Sequence, residues 1–168
     1  MDPNELLNNP LEGRTRETTI ARDDQGRWFH DGQPLEHANL VRSFDAWIER
    51  AEDGRFCLKN DINWAYITLD GPAYFVRSAR VDGDELRLTL SGGSEEVLDP
   101  NTLRQGPDGA LYCDVRGGSV AARFDRHAMA RLEGRVNEDA DGVFLAVGTE
   151  KLRPRLVTDP LVTHGERR

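Results

Sequence analysis

At 168 residues, the chain can bury roughly 70% of the surface its unfolded form would expose, so it needs neither a disulfide nor a metal to hold a core. Charged residues make up 31% and aromatics 7%, which excludes a disordered polyelectrolyte and fits a globular fold. The formal net charge of −8 argues against a nucleic-acid partner, because duplex binding draws its affinity from neutralised phosphates.

The charge is uneven. Residues 1–70 hold eight Arg or Lys against fourteen Asp or Glu, whereas residues 77–135 hold nine against ten. The overall sign leaves room for a small phosphorylated ligand held by a few local arginines; of the 22 cations 20 are Arg, which GC-rich codon usage explains better than selection for bidentate anion contacts. Cys57 and Cys113 stand alone, without a CxxC pair or a His-rich tract, so neither structural zinc nor dithiol chemistry is expected. Residues 1–10 lack the cationic and apolar regions of a secretory leader. No apolar run approaches the ~18 residues of a membrane span. These features predict a soluble cytoplasmic protein without a cofactor or membrane partner.

In chain order, residues 1–16 show no periodicity and read as a flexible segment. A first α+β unit follows over 17–72. Thr19-Ile20 and Arg22 lead through a turn at Gly26 to a strand carrying Trp28 and Phe29. Asp31-Gly32 is the first of six Asp-Gly pairs; the others begin at Asp53, Asp70, Asp82, Asp108 and Asp141. Asp-Gly between apolar alternations is a hairpin signal, since type I′ turns need positive φ at both central residues. Leu40, Val41, Phe44, Trp47, Ile48 and Ala51 make one apolar stripe at helical spacing. Asn39 is the expected N-cap, and Asp53-Gly54 the expected stop. Phe56-Cys57-Leu58 then reads as a core strand.

A second unit is expected over 73–157. A hairpin joins 74–81 to 85–91 across Asp82-Gly83, with Leu86, Leu88 and Leu90 on one face and Glu85, Arg87 and Thr89 on the other. Gly92-Gly93 turns the chain toward 95–98, and Asp99-Pro100 ends the run. Strands Leu111–Val115 and Val120–Phe124 flank a turn at Arg116-Gly117-Gly118-Ser119. A shorter helix is expected to start from Asp125 as N-cap and to present Met129 and Leu132 to the core. Residues 158–168 read as a flexible tail.

Aligning the two helices exposes a repeat. Thr19-Ile20, Arg22, Asp24, Gly26, Trp28 and Phe29 match Thr102-Leu103, Arg104, Asp108, Gly109, Leu111 and Tyr112. After the helices, Asp53-Gly54-Arg55-Phe56 matches Asp141-Gly142-Val143-Phe144. The spacing between matched glycines differs only by a few residues, which loops absorb cheaply. The ordered matches favour duplication, and hairpins followed by a covering helix imply an α+β layer architecture.

These residues resemble a bacterial family, domain-of-unknown-function family 1285, from about Thr19 to Pro154. The most specific stretches are Gly26-Arg27-Trp28, Asp31-Gly32-Gln33-Pro34-Leu35 and Leu40-Val41-Arg42-Ser43-Phe44. They continue with Asp53-Gly54, Phe56-Cys57-Leu58, Ile67-Thr68-Leu69-Asp70 and Tyr74-Phe75. Arg116-Gly117-Gly118 and the 121–124 strand are similar to the family's second half. The resemblance implies a duplicated core, a C-terminal part like a pleckstrin-homology barrel, and a cleft between the halves that holds a nucleotide-like ligand in a signalling role. The chain departs from the family at Lys59-Asn60-Asp61-Ile62-Asn63, where the family tends to show Thr-Pro and then Glu-Lys.

Several residues invite chemistry. Cys57 beside His30, His37 or His127 would make a thiol nucleophile with a base, but a free Cys within a core strand behaves as a small hydrophobe. Cys113 reads the same way. His30 and His37 with Asp31 or Glu36 carry metal-type donors without a recognised metal-site spacing, and surface or capping histidines are the expectation. Ser91-Gly92-Gly93-Ser94 runs into a strand, not a helix, so it reads as a hairpin turn and not a phosphate loop. Arg77 and Arg80 face opposite sides of one strand. Trp28, Trp64 and Tyr66 could stack a base, although large aromatics on strands are more often core.

The favoured expectation is a non-catalytic module binding a nucleotide-like anion in the cleft between the units. Its candidate contacts are His37, Lys59, Asn60, Arg104, Arg116 and Arg123. A protein-interaction adaptor offering an edge strand is the alternative, and an enzyme is third.

Overall fold

A computed structural model describes residues 2–7 and 15–167. The chain divides into two compact units between Ala73 and Tyr74.

In the first unit a short helix, α1 (Pro3–Leu7), lies against the later helix and buries Leu7. Strands β1 (Ala21–Arg22), β2 (Trp28–His30) and β3 (Gln33–Leu35) then form an antiparallel run. Asp31 and Gly32 close the β2–β3 hairpin with φ of 50° and 75°, the type I′ geometry that Asp-Gly favours. Helix α2 (Ala38–Trp47) is followed by a meander of β4 (Ile48–Arg50), β5 (Phe56–Lys59) and β6 (Trp64–Tyr66). The last strand, β7 (Thr68–Leu69), returns parallel to β1 and completes the sheet order β3-β2-β1-β7.

Two details of the helix differ from the expectation. Its N-cap is His37, which makes no side-chain capping bond, and Asn39 sits within the first turn. The helix also stops at Trp47. Ile48 is fully buried and pairs with Leu58, so a β-branched side chain that fits a pleated surface opens a strand there. Asp53-Gly54 is consequently the β4–β5 turn instead of the helix stop.

The core of this unit centres on Trp28 and Phe44, whose rings meet edge to face at 5.2 Å. Asp45 Oδ1 accepts from Trp28 Nε1–H at 2.9 Å and from Arg22 Nη1–H at 3.3 Å. Arg22 is itself buried, and its Nη2 donates to the carbonyls of Pro72 and Ala73.

In the second unit, β8 (Tyr74–Asp82), β9 (Glu85–Leu90) and β10 (Glu95–Val97) form an antiparallel ribbon. Leu86, Leu88 and Leu90 are buried as the alternation predicts. Asp82 pairs with Glu85, so the two-residue loop is Gly83-Asp84, one residue later than expected. After a 3-10 turn at Pro100–Thr102 come β11 (Arg104–Gln105), β12 (Leu111–Val115) and β13 (Val120–Phe124). Helix α3 (Arg126–Leu132) begins at Asp125, whose carboxylate accepts from Ala128 N–H at 2.8 Å as expected. A meander of β14 (Val136–Asp139), β15 (Gly142–Val147) and β16 (Glu150–Leu152) precedes β17 (Arg155–Leu156), which runs parallel to β11.

The main sheet has the order β10-β9-β8-β13-β12-β11-β17. The fold is α+β, as the sequence implies. The barrel closure implied by the resemblance is absent: the sheet is open, with three-residue β10 and two-residue β17 at its edges. Edge strands this short limit the unpaired backbone that an open sheet presents.

The repeat is visible in the topology. Strands β1, β2, β3, helix α2, meander β4–β6 and return strand β7 correspond in order, pairing and direction to β11, β12, β13, α3, β14–β16 and β17. Arg22 opposes Trp28, and Gln105 opposes Leu111, across equal loops. Gly26 and Gly109 sit at matching points with φ of 84° and 81°. This register equates Trp28 with Leu111, as the sequence alignment does. It also corrects that alignment by one residue, because Arg22 corresponds to Gln105 and Ala21 to Arg104. A one-residue offset on a strand turns a side chain to the other face, so the two arginines do not occupy equivalent places. Strands β8–β10 have no counterpart among the described residues of the first unit.

The ends carry more structure than their sequences announce. Leu7 and Thr163 are buried, and His164 N–H donates to Asp114 Oδ2 at 2.6 Å. Polar anchoring leaves no periodic signature, which is why the 158–168 tail reads as flexible. Residues 8–14 of the expected flexible segment lie outside the described residues.

Removing one member of a buried ion pair strands the other charge and costs about 3–5 kcal/mol. Asp45→Ala should therefore destabilise the protein by that amount in urea unfolding, since Trp28 Nε1–H loses its acceptor as well. A loss below about 1 kcal/mol would contradict this account of the first core.

Candidate functional site

The sheet face that carries Leu111 in the second unit is flanked by α3 and by the β14–β16 meander. Among them lies a groove of about 440 Å³, within the range typical of small-molecule sites. Leu111, Met129, Leu132 and Phe144 supply its apolar lining, and Gln105, Asp141 and Arg153 supply polar groups. Val136, Val143 and Leu156 are 51%, 57% and 78% exposed at its margins. Gln105 Nε2 donates to Gly109 O at 3.0 Å. Arg153 donates to Asp139 Oδ2 at 2.6 Å and to Gly142 O at 3.1 Å, and stands over the Phe144 ring. Arg153 foremost, with Lys151, holds the Asp139 carboxyl well below the usual range.

The corresponding place in the first unit is filled. Trp28 stands where Leu111 stands, Arg22 where Gln105 stands, and Phe44 and Asp45 of a ten-residue helix close over them. The second helix has only seven residues. The groove is therefore what the shared architecture leaves when an indole and a buried ion pair are replaced by an isobutyl group and an amide.

A second hollow, about 500 Å³, lies on the outer face of the β4–β6 meander, lined by Glu49, Glu52, Asp53, Lys59, Trp64 and Tyr66 among others. Its aromatics are already engaged. Arg55 lies 3.7 Å from the Tyr66 ring centroid while pairing with Glu17, and Arg16 lies 5.1 Å from that of Trp64. Tyr66 O–H donates to Asp53 Oδ2 at 2.7 Å. Three carboxylates against two cations, Arg50 and Lys59, leave this lining net negative, which disfavours a phosphate.

The six residues expected to hold an anion are placed as follows. His37 is exposed at the start of α2. Lys59 is exposed at the edge of the acidic hollow. Asn60 shapes a turn by accepting from the N–H groups of Ile62 and Asn63 at 2.8 Å, and it donates to Asn4 Oδ1. Arg104 is buried: its Nε donates to Pro160 O at 2.8 Å, its Nη1 to Thr102 O at 2.9 Å, and its Nη2 lies 2.9 Å from Asp114 Oδ1. Arg116 sits in the β12–β13 turn at φ 56°, its N–H held by Glu96. Arg123 pairs with Asp108 at 3.2 Å. Against desolvation, hydrogen bonds from Tyr112 O–H, Ala110 N–H and Arg123 keep the Asp108 carboxyl below its ordinary value. Within the second unit, Arg104 and Arg123 pair with two different carboxylates, Asp114 and Asp108, and do not clamp a common point.

Trp28 is core, whereas Trp64 and Tyr66 are half-buried. Among the described residues no three His, Cys, Asp or Glu side chains cluster at metal-binding distance, and no helix is long and apolar enough to cross a membrane. The groove residues escaped the sequence reading because Leu111, Met129 and Leu132 look like ordinary core. The available signal was the size mismatch between Trp28 and Leu111 at one position of the repeat.

Both cysteines are buried, and desolvation pushes both thiols up, Cys113 furthest. A thiol of raised pKa is a poor nucleophile at neutral pH. A disulfide-exchange reagent at pH 8 should label neither Cys57 nor Cys113 in the native protein and both in denaturant. Rapid native labelling of either would reopen thiol chemistry.

No protein-family model matches the chain, and no curated protein does. Two solved structures do. A DUF1285 family protein from Silicibacter pomeroyi DSS-3 is 25% identical, with a TM-score of 0.62 over 95% of this chain and 86% of that one. A DUF1285 family protein from Shewanella baltica OS155 is 13% identical and shares the fold alone, with a TM-score of 0.52 over 65% of this chain and 85% of that one. The resemblance read from the sequence holds in three dimensions: the chain is similar in fold to two DUF1285 family proteins.

Proposed function

We propose that this protein is a non-catalytic binding module whose ligand, a small molecule with an apolar body, occupies the groove of the second unit. The observation that carries this reading is the contrast between the repeats: the same architectural place is packed by Trp28 in one and left open beside Leu111 in the other. Apolar walls with a few polar groups are the usual composition of such sites, and Gln105 and Asp141 could orient a ligand's polar end. The groove lining brings no nucleophile beside a base, in keeping with binding without turnover. Its cation, Arg153, is paired with Asp139, so an apolar ligand suits the groove better than the nucleotide-like anion implied by the resemblance.

A second reading, a protein partner that adds a strand at β17, is favoured by one observation. β17 is an edge strand, and its Leu156 is 78% exposed. Strand addition draws affinity from such unpaired backbone.

The test is a thermal-shift and fluorescence screen with apolar small molecules. Ligand at a hundred times its Kd stabilises by about 2.7 kcal/mol. Leu111→Trp, which copies the packed repeat, should abolish the saturable shift, and Val143→Glu, at an exposed position, should weaken it at least tenfold. Undiminished binding in both variants would overturn the assignment. Saturable binding of an extended peptide, lost on Leu156→Pro while small molecules give no shift, would select the second reading.

A further inference from the structure

We propose a separate site for one anionic oxygen, of a phosphate or carboxylate group, on the opposite face of the same sheet beneath residues 159–167. Arg104 and Gln105 are adjacent on β11, as are Arg155 and Leu156 on β17. Successive side chains on a strand alternate faces. Gln105 and Leu156 therefore serve the apolar groove, while Arg104 and Arg155 turn to the other side.

There the chain end is laid over the sheet by polar contacts. Arg104 Nε donates to Pro160 O, and Asp114 accepts from His164 N–H. Arg167 reaches back, its Nη2 donating to Asp159 O and its backbone N–H to Thr163 O. Arg104, Arg155, His164 and Arg167 line a small cavity of about 10 Å³, room for one water-sized group.

One donor at this cavity, Arg167 Nε, is buried without a hydrogen-bond partner, and Arg104 Nη2 and Asp114 Oδ1 are buried with nothing beyond the ion pair they make with each other. The Arg104 side chain is only 3% exposed. Its Nη2 lies 2.9 Å from Asp114 Oδ1 as an ion pair, but away from hydrogen-bonding geometry. Leaving guanidinium donors buried and unmatched is costly. Among the described residues Asp114 offsets Arg104 while no ion pair offsets Arg155 or Arg167, so the cavity carries a positive excess that a neutral water would leave in place. An anionic oxygen offsets that excess and accepts a charge-assisted hydrogen bond from Arg167 Nε beside the Arg104–Asp114 pair. Arg155 is exposed, placed to meet the remaining oxygens of the same group outside the cavity.

The test titrates inorganic phosphate, and separately acetate, into ¹⁵N-labelled full-length protein at constant ionic strength. The readout is the arginine Nε–Hε resonance of Arg167, assigned by its loss in Arg167→Lys. At least one anion should move it saturably, phosphate identifying a phosphoryl source and acetate a carboxylate source. Arg155→Gln, at an exposed side chain, should raise the half-saturating concentration about tenfold, as expected for one lost charge-assisted contact. Non-saturating drift with both anions, or an Arg155→Gln titration that matches the parent, would overturn the proposal and leave the cavity to a water.

Discussion

A buried arginine paired to an aspartate secures the end of each unit, and much of the architecture depends on that pairing. Arg22 meets Asp45 and ties down the carbonyls of Pro72 and Ala73, just after return strand β7. Arg104 meets Asp114 and ties down Pro160 O, just after return strand β17. A two-residue parallel strand holds few ladder hydrogen bonds, and parallel pairs are slightly weaker than antiparallel ones. A guanidinium with several donors can hold the segment that leaves such a strand, but only if a carboxylate offsets its burial. The two arginines reach this result from opposite faces of equivalent strands.

The difference around those anchors has a structural consequence. In the first unit, Arg22, Asp45, Trp28 and Phe44 share one side of the sheet, and the ion pair completes a packed core. In the second, the charged pair has moved to the other face, leaving Gln105 and Leu111 beneath a shorter helix. Close packing is the norm in protein interiors. An open apolar groove beside exposed Val143 and Leu156 is a departure from that norm.

How much of this was legible beforehand follows from what each signal encodes. Local chemistry was readable: Asp31-Gly32 gave its hairpin, Asp125 its cap, and the leucines of β9 their buried face. The repeat of elements was readable because glycines at positive φ, such as Gly26 and Gly109, punctuate both units at the same points. The helix end at Trp47 was not, since Ile48 continues the 3.6-residue stripe and only its pairing with Leu58 makes it a strand. The role of Arg104 was hidden for a different reason. A guanidinium looks equally suited to a ligand and to a buried carboxylate, and its partner Asp114 lies ten residues away on a neighbouring strand. The groove was hidden because a cavity is a shortage of volume, which shows only when the two copies are compared position by position.

The central claim, that one repeat is packed where the other is hollow, can be examined with a crystal pressurised with xenon, which enters apolar cavities without needing polar recognition. The account predicts an anomalous peak among Leu111, Met129, Leu132 and Phe144, with none beside Trp28 and Phe44. Xenon at both places, or at neither, would contradict it.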